Sequence, residues 1–113
     1  MSINIQKDLI ANIVSTIVQY SHPEKVILFG SRAKGAFTDE SDYDFLVVVR
    51  GVKNEREISR QINRAILDKR VGVSVDIVVV NEEKIHFHQT NPFYIYARAL
   101  SEGKIYYERP RAG

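Results

Sequence analysis

Asp42 and Asp44 stand one residue apart at the head of an apolar run, the spacing that lets two carboxylates share a cation. On an extended strand, side chains at i and i+2 leave the same face with Cα atoms roughly 6.5 to 7 Å apart, and the residue between them points the other way. Like charges that close repel unless something positive lies between, and clustered carboxylate oxygens suit a hard ion such as Mg²⁺. A third oxygen ligand would complete the set. Asp76 is the candidate, a lone carboxylate in the run Val73-Ser74-Val75-Asp76-Ile77-Val78-Val79-Val80 that is costly to bury without a cation or a donor. Arg32 or Arg50 would also serve as its partner, and an exposed sheet face would leave it needing none. For Asp42 and Asp44 the plain alternative is a charged strand end that keeps an edge soluble.

The opposite chemistry precedes them. Val26-Ile27-Leu28-Phe29 has the length and branching of a buried strand, and Gly30 ends it where the chain must turn. Gly30 has no side chain to hold a ligand off, and Ser31 offers a hydroxyl and a backbone N–H. A short helix over Ser31-Arg32-Ala33-Lys34 would aim its unpaired N–H groups at an anion such as phosphate. Arg32 and Lys34 would add positive charge there, or stand as ordinary solvated surface. Taken alone, Gly30-Ser31 is also what a tight turn looks like.

In order and spacing, Gly30-Ser31, ten intervening residues, Asp42-Tyr43-Asp44 and a later aspartate in a β run resemble the signature of the nucleotidyltransferase (polymerase β-like) superfamily. The nearest likeness is to its small, minimal nucleotidyltransferases, and it spans about Lys25 to Val80. It implies a small α/β (α+β) fold with a mixed sheet. It also implies transfer of a nucleoside monophosphate, AMP from ATP, to an acceptor hydroxyl, with pyrophosphate leaving. By the same resemblance Asp42, Asp44 and Asp76 would be the catalytic carboxylates and the ligands of two Mg²⁺ ions. Asp42 and Asp44 would bridge both ions, and Asp76 would complete the one nearer the acceptor and assist its deprotonation. Gly30 and Ser31 would hold the β- and γ-phosphates, with Arg32 and Lys34 beside them. The family likeness further implies a helical HEPN-type partner, a toxin whose tyrosine this chain would adenylylate as its antitoxin. Small hydroxylated molecules and RNA ends are the other acceptors the superfamily uses. The alternative outside enzymology is a subunit that only binds nucleotide or docks a partner.

The elements that must hold these residues follow from periodicity. Leu9, Ile10, Ile13, Val14, Ile17 and Val18 recur at helical spacing, predicting a helix over about Gln6 to Tyr20 that packs on a sheet and ends before Pro23. Strands are expected from near Lys25 to Phe29, from Tyr43 to Arg50 and from Val73 to Val80, with a polar loop over residues 35–41. Asn54 can cap a helix from Glu55 to about Arg70, with Ile58, Ile62, Ala65 and Ile66 inward and Lys69 and Arg70 in the last turn. Strand, helix and strand over 43–80 read as a right-handed parallel crossover. The connection from the first strand to the second is too short for a crossover, so that pair is expected antiparallel and the sheet mixed. Two shorter helices, Glu82 to Gln89 and Pro92 to about Glu102, then precede Gly103 as a C-cap and a strand or extended tail over Lys104 to Glu108.

Composition sets the outer limits. With 113 residues, 44% hydrophobic and 27% charged, the chain is expected to form one domain with its own modest core. Zero cysteines exclude disulfides and cysteine-ligated metal centres and fit a reducing interior. No run has a secretory or membrane-spanning pattern, so the expectation is a cytoplasmic protein. Sixteen Lys and Arg against fourteen Asp and Glu leave too even a balance for a long nucleic-acid footprint, which makes RNA the weaker acceptor without excluding it. The chain shows no acceptor-binding domain, so a partner is expected to hold the acceptor, and a homo-oligomer is compatible with the same reading. A calcium loop beginning at Glu40 fails on Phe45 and Gly51, its sixth and twelfth positions, where glycine and glutamate are needed. His86 and His88 diverge on a helix and are expected at the surface or in packing. Phe93, Tyr96, Ala97 and Leu100 are expected to pack inward, with base stacking and a partner interface as the alternatives.

Overall fold

The computed structural model describes residues 3–35, 41–88 and 95–110, with side chains over 7–35, 41–85 and 99–110. Its centre is β2, Tyr43–Val49, whose sequence YDFLVVV is buried along almost its whole length, as a strand covered on both faces requires. In chain order the elements are α1 (Ile3–Ser21), β1 (Lys25–Phe29), α2 (Ser31–Lys34), β2, α3 (Glu55–Asp68), β3 (Val75–Asn81), α4 (Glu82–His88), α5 (Ile95–Glu102) and β4 (Lys104–Glu108). One four-stranded sheet runs β3-β2-β1-β4. β1 pairs antiparallel with β2 and β4, and β2 pairs parallel with β3, giving the expected mixed α/β arrangement.

Alternation along β2 divides the core. Tyr43, Phe45, Val47 and Val49 join Val26, Leu28, Ile77 and Val79 beneath Ile13, Val14 and Ile17 of α1 and Ile62 and Ile66 of α3. On the other face Leu46 and Val48 pack with Ile27, Val80, Ile85 of α4 and Ala99 of α5. Asp44 falls in the same alternating set as Leu46 and Val48, so it leaves the sheet on the α4 and α5 side, at the end of the strand.

At the opposite end of the sheet a polar knot closes the crossover. Asn81 accepts from the Val52 N–H at 2.9 Å and donates to its carbonyl at 2.8 Å. Glu55 accepts from the Asn81 N–H at 2.7 Å and from Lys84. Burial pushes the Glu55 carboxyl up, but the hydrogen bonds from Lys84 and Asn81 and the Lys84 charge outweigh it, and the net result lies below the usual value. A carboxyl held below its unfolded pKa stabilises the fold at pH above that unfolded pKa and loses this contribution as pH falls through the folded one. Stability is therefore expected to fall on acidification below about pH 4.3. In Glu55→Gln this part of the pH dependence should flatten, as read from urea midpoints across the acid range.

The ends of the elements differ from the expected ones by a few residues, for local reasons. α3 stops at Asp68, with Lys69 as its cap and Arg70 in the left-handed region at φ 51, so neither basic residue lies in the last turn. Val73 and Ser74 belong to the connection and β3 starts at Val75, while β2 ends at Val49, one residue before Arg50. Asn54 caps α3 as expected, accepting from the Glu57 N–H at 3.1 Å. In α5 the inward residue at the end is Ala99, and Leu100, expected inside, stands 37% exposed. Gln89, Pro92 and Phe93 and the side chains of His86, His88, Tyr96 and Ala97 lie outside the described residues, as does 36–40 of the expected loop.

Gly103 joins α5 to β4 where nothing larger fits. A Cβ there would lie 2.4 Å from the Ala99 carbonyl oxygen, 2.5 Å from Ile27 Cγ2 and 2.9 Å from the Leu28 carbonyl oxygen. Two of those neighbours are backbone and cannot swing aside. Gly103→Ala is expected to destabilise the protein by about 1–3 kcal/mol, measured by denaturant unfolding.

Candidate functional site

Topology brings the three aspartates to one end of the sheet. In the parallel pair, Asp44 lies directly opposite Asp76, which places their Cα atoms about 4.8 Å apart on the same face. Asp42 precedes β2 by one residue, and the Tyr43 N–H donates to the Ser74 carbonyl at 2.9 Å, locking the start of β2 against the approach to β3. Asp42 and Asp76 are exposed and Asp44 is half-buried. Burial, then the charge of Asp76, then that of Asp42 raise the Asp44 carboxyl above the usual range. The three carboxylates thus share one electrostatic environment, an oxygen-only donor set short of positive charge, which is the chemistry a hard divalent ion relieves.

Among the described residues no three or more His, Cys, Asp or Glu side chains are grouped closely enough to hold a metal ion as they stand. Asp76 forms no ion pair with Arg32 or Arg50. Its exposure also removes the burial cost expected from sequence, and its electrostatic neighbours are Asp44 and, through it, Asp42.

The glycine-serine turn meets the carboxylates from the next strand. β1 ends at Phe29, paired with Asp44, so Gly30 arrives beside that carboxylate. A Cβ on Gly30 would lie 2.6 Å from Asp44 Oδ2. Gly30 has φ 75 and ψ −158, a combination open essentially to glycine alone, and its carbonyl accepts from the N–H groups of Ala33 and Lys34 at the first turn of α2. Ser31 is half-buried at the start of α2, and its hydroxyl has no hydrogen-bond partner among the described residues. Lys34 is exposed and pairs with Glu102 of α5 at 3.0 Å.

Arg32 turns the other way. It is 7% exposed, donates from Nε and Nη2 to the Ser41 carbonyl at 3.2 and 3.1 Å, and lies over the Tyr43 ring at 4.2 Å from its centroid. Sequence reasoning missed three of these contacts: Gly30 against Asp44, Glu102 on Lys34, and Arg32 on Ser41 and Tyr43. Only the first had any signal, a glycine placed where a strand meets an acidic pair.

The family model described as polymerase beta, nucleotidyltransferase matches residues 11–111. The chain belongs to that family. It is a nucleotidyltransferase, and members of the family generally use a nucleoside triphosphate and divalent metal ions. A candidate protein adenylyltransferase of Methanocaldococcus jannaschii is similar to it, 32% identical over 84 residues that cover 74% of this chain and 78% of the relative. A crystal structure of a candidate nucleotidyltransferase from Sulfolobus solfataricus superposes with TM-score 0.57 at 24% identity, over 90% of this chain and 79% of that one. The crystal structure of a toxin-antitoxin with AMP-PNP superposes with TM-score 0.59 at 17% identity, over 87% and 73%. These two structures speak to the fold, and the fold they share with this nucleotidyltransferase is the mixed sheet packed with helices described above. Among its described residues no helix is long and apolar enough to cross a membrane.

Proposed function

We propose that this nucleotidyltransferase moves AMP from ATP to a hydroxyl group on a protein. The observation that carries the proposal is the register of β2 and β3, which sets Asp44 beside Asp76 at the sheet end where Gly30 closes on Asp44. Support for a protein acceptor comes from the M. jannaschii relative, and support for ATP and for a toxin-antitoxin setting comes from the AMP-PNP-bound neighbour. The partner is then a helical HEPN-type toxin modified on a tyrosine, with this chain as antitoxin. A cytoplasmic setting goes with this reading.

Asp42, Asp44 and Asp76 are the residues that would hold two Mg²⁺ ions. When bound, these ions neutralise the triphosphate and stabilise charge on the attacking and leaving oxygens. Asp76, exposed at the edge strand, is open to an incoming hydroxyl and takes its proton as the oxygen attacks the α-phosphorus. The bond to the β-phosphate oxygen breaks, pyrophosphate leaves, and AMP remains on the acceptor. Gly30 leaves room for the terminal phosphates, and Ser31 donates to them. Lys34 supplies charge there on release from Glu102. No covalent enzyme intermediate is needed, because positioning and charge neutralisation lower the barrier.

Co-expression with candidate partners, followed by intact-mass measurement, tests partner and chemistry together. A mass increase of one AMP on a partner protein, dependent on ATP and Mg²⁺, is the expected result. Nucleotide binding with no transfer to any protein, RNA or small hydroxylated acceptor would instead define a binding subunit.

A further inference from the structure

We infer that Arg32 is a positioning residue that holds Asp42 in place for the carboxylate cluster, and that it is not a ligand of the triphosphate. The inference rests on the proposed use of Asp42 and Asp44 as metal ligands, and it adds a residue that acts through them.

Asp42 is exposed and lies outside the hydrogen-bonded part of β2, so its own side chain does nothing to fix its position. Its two neighbours are fixed instead, and by one guanidinium. The carbonyl of Ser41, immediately before Asp42, accepts two hydrogen bonds from Arg32. The ring of Tyr43, immediately after it, is 3% exposed and takes the guanidinium on its face. The Tyr43 N–H adds a third restraint through the Ser74 carbonyl. The backbone of Asp42 is therefore held on both sides while its carboxylate remains open to solvent.

Arg32 also belongs to α2, one residue after Ser31, so the same side chain ties the glycine-serine turn to the strand that carries the carboxylates. At 7% exposure, and spread over a ring, the guanidinium presents almost no surface to an anion arriving from water. A planar, permanently charged fork is needed for this job. Lysine keeps the charge but cannot stack flat on Tyr43 while directing two parallel N–H groups to one carbonyl.

The test uses Arg32→Lys with Tyr43→Phe and Tyr43→Leu, each checked for a wild-type circular dichroism spectrum. Binding of Mn²⁺ alone is read by electron paramagnetic resonance, binding of inorganic tripolyphosphate alone by calorimetry, and turnover by pyrophosphate release. In Arg32→Lys, Mn²⁺ affinity and kcat are each expected to fall roughly tenfold or more, with tripolyphosphate affinity unchanged, since an ångström-scale misplacement costs on the order of a hundredfold in rate. Tyr43→Phe keeps the ring face and should match wild type, whereas Tyr43→Leu should lose Mn²⁺ affinity as Arg32→Lys does.

Wild-type Mn²⁺ affinity in Arg32→Lys overturns the inference, as does a selective loss of tripolyphosphate affinity, which would make Arg32 a phosphate ligand. If Arg32→Lys does not fold, the two Tyr43 variants decide, and equal Mn²⁺ affinity in both overturns it. Failure of the functional proposal looks different: wild-type protein would then bind no Mn²⁺ at the aspartates, and Asp44→Asn would bind the ion as wild type does.

Discussion

Asp44→Asn is expected to abolish Mg²⁺-dependent pyrophosphate release, with a loss of at least about a thousandfold, while leaving the fold intact. Asp44 is the member of the cluster that feels both others, lying opposite Asp76 in the sheet and near enough to Asp42 for its charge to matter. Asparagine keeps its shape and removes the charge a divalent ion needs. The stability of the metal-free variant supplies the control. A carboxyl raised above its unfolded pKa carries no penalty below that unfolded pKa, and the penalty grows as pH rises from the unfolded value to the folded one and is full above it. At neutral pH the substitution removes that penalty, so the midpoint of thermal unfolding should equal or exceed that of wild type. The same loss is expected of Asp42→Ala, and a wild-type rate of pyrophosphate release in either variant would refute the metal assignment.

Gly30→Ala is expected to lose about a hundredfold in activity and about 1–3 kcal/mol in stability together. Two independent costs meet in one methyl group. The backbone at Gly30, with φ 75 and ψ −158, excludes an alanine without strain. The added Cβ would also lie 2.6 Å from Asp44 Oδ2, well inside contact distance. A flexible carboxylate can move aside, but the one that moves is the one to which the proposed reaction assigns a metal ion. Pyrophosphate release and urea unfolding measured on the same preparation check both effects. Wild-type values in each would mean that the turn does not sit against the cluster.

Particular residues show what a sequence can reveal and where it stops. The apolar run from Tyr43 to Val49 and the cap at Asn54 are local patterns, written in side-chain chemistry over a few residues, and strand and helix formed where they pointed. The antiparallel return from β1 to β2 followed from a connection too short for anything else. Arg32 shows the opposite. In sequence it is one of two cations beside the glycine-serine turn, and nothing local distinguishes it from Lys34. In the structure one is buried over Tyr43 and the other is exposed against Glu102, a partner 68 positions away in the chain. Leu100 carries the same lesson, since helical spacing names a face but the packing at the end of α5 buries Ala99 and leaves Leu100 exposed.

The sequence by itself determined the acidic pair, the glycine-serine turn, the family they resemble and the order of strands and helices that carries them. Each of these depends on residue type and short spacing, quantities a linear chain contains. Only the tertiary structure decided that Asp76 lies across from Asp44, that a side chain at Gly30 would collide with that carboxylate, and that Arg32 reaches Ser41 and Tyr43 on either side of Asp42. Those are distances between segments, and strand register and core packing set them.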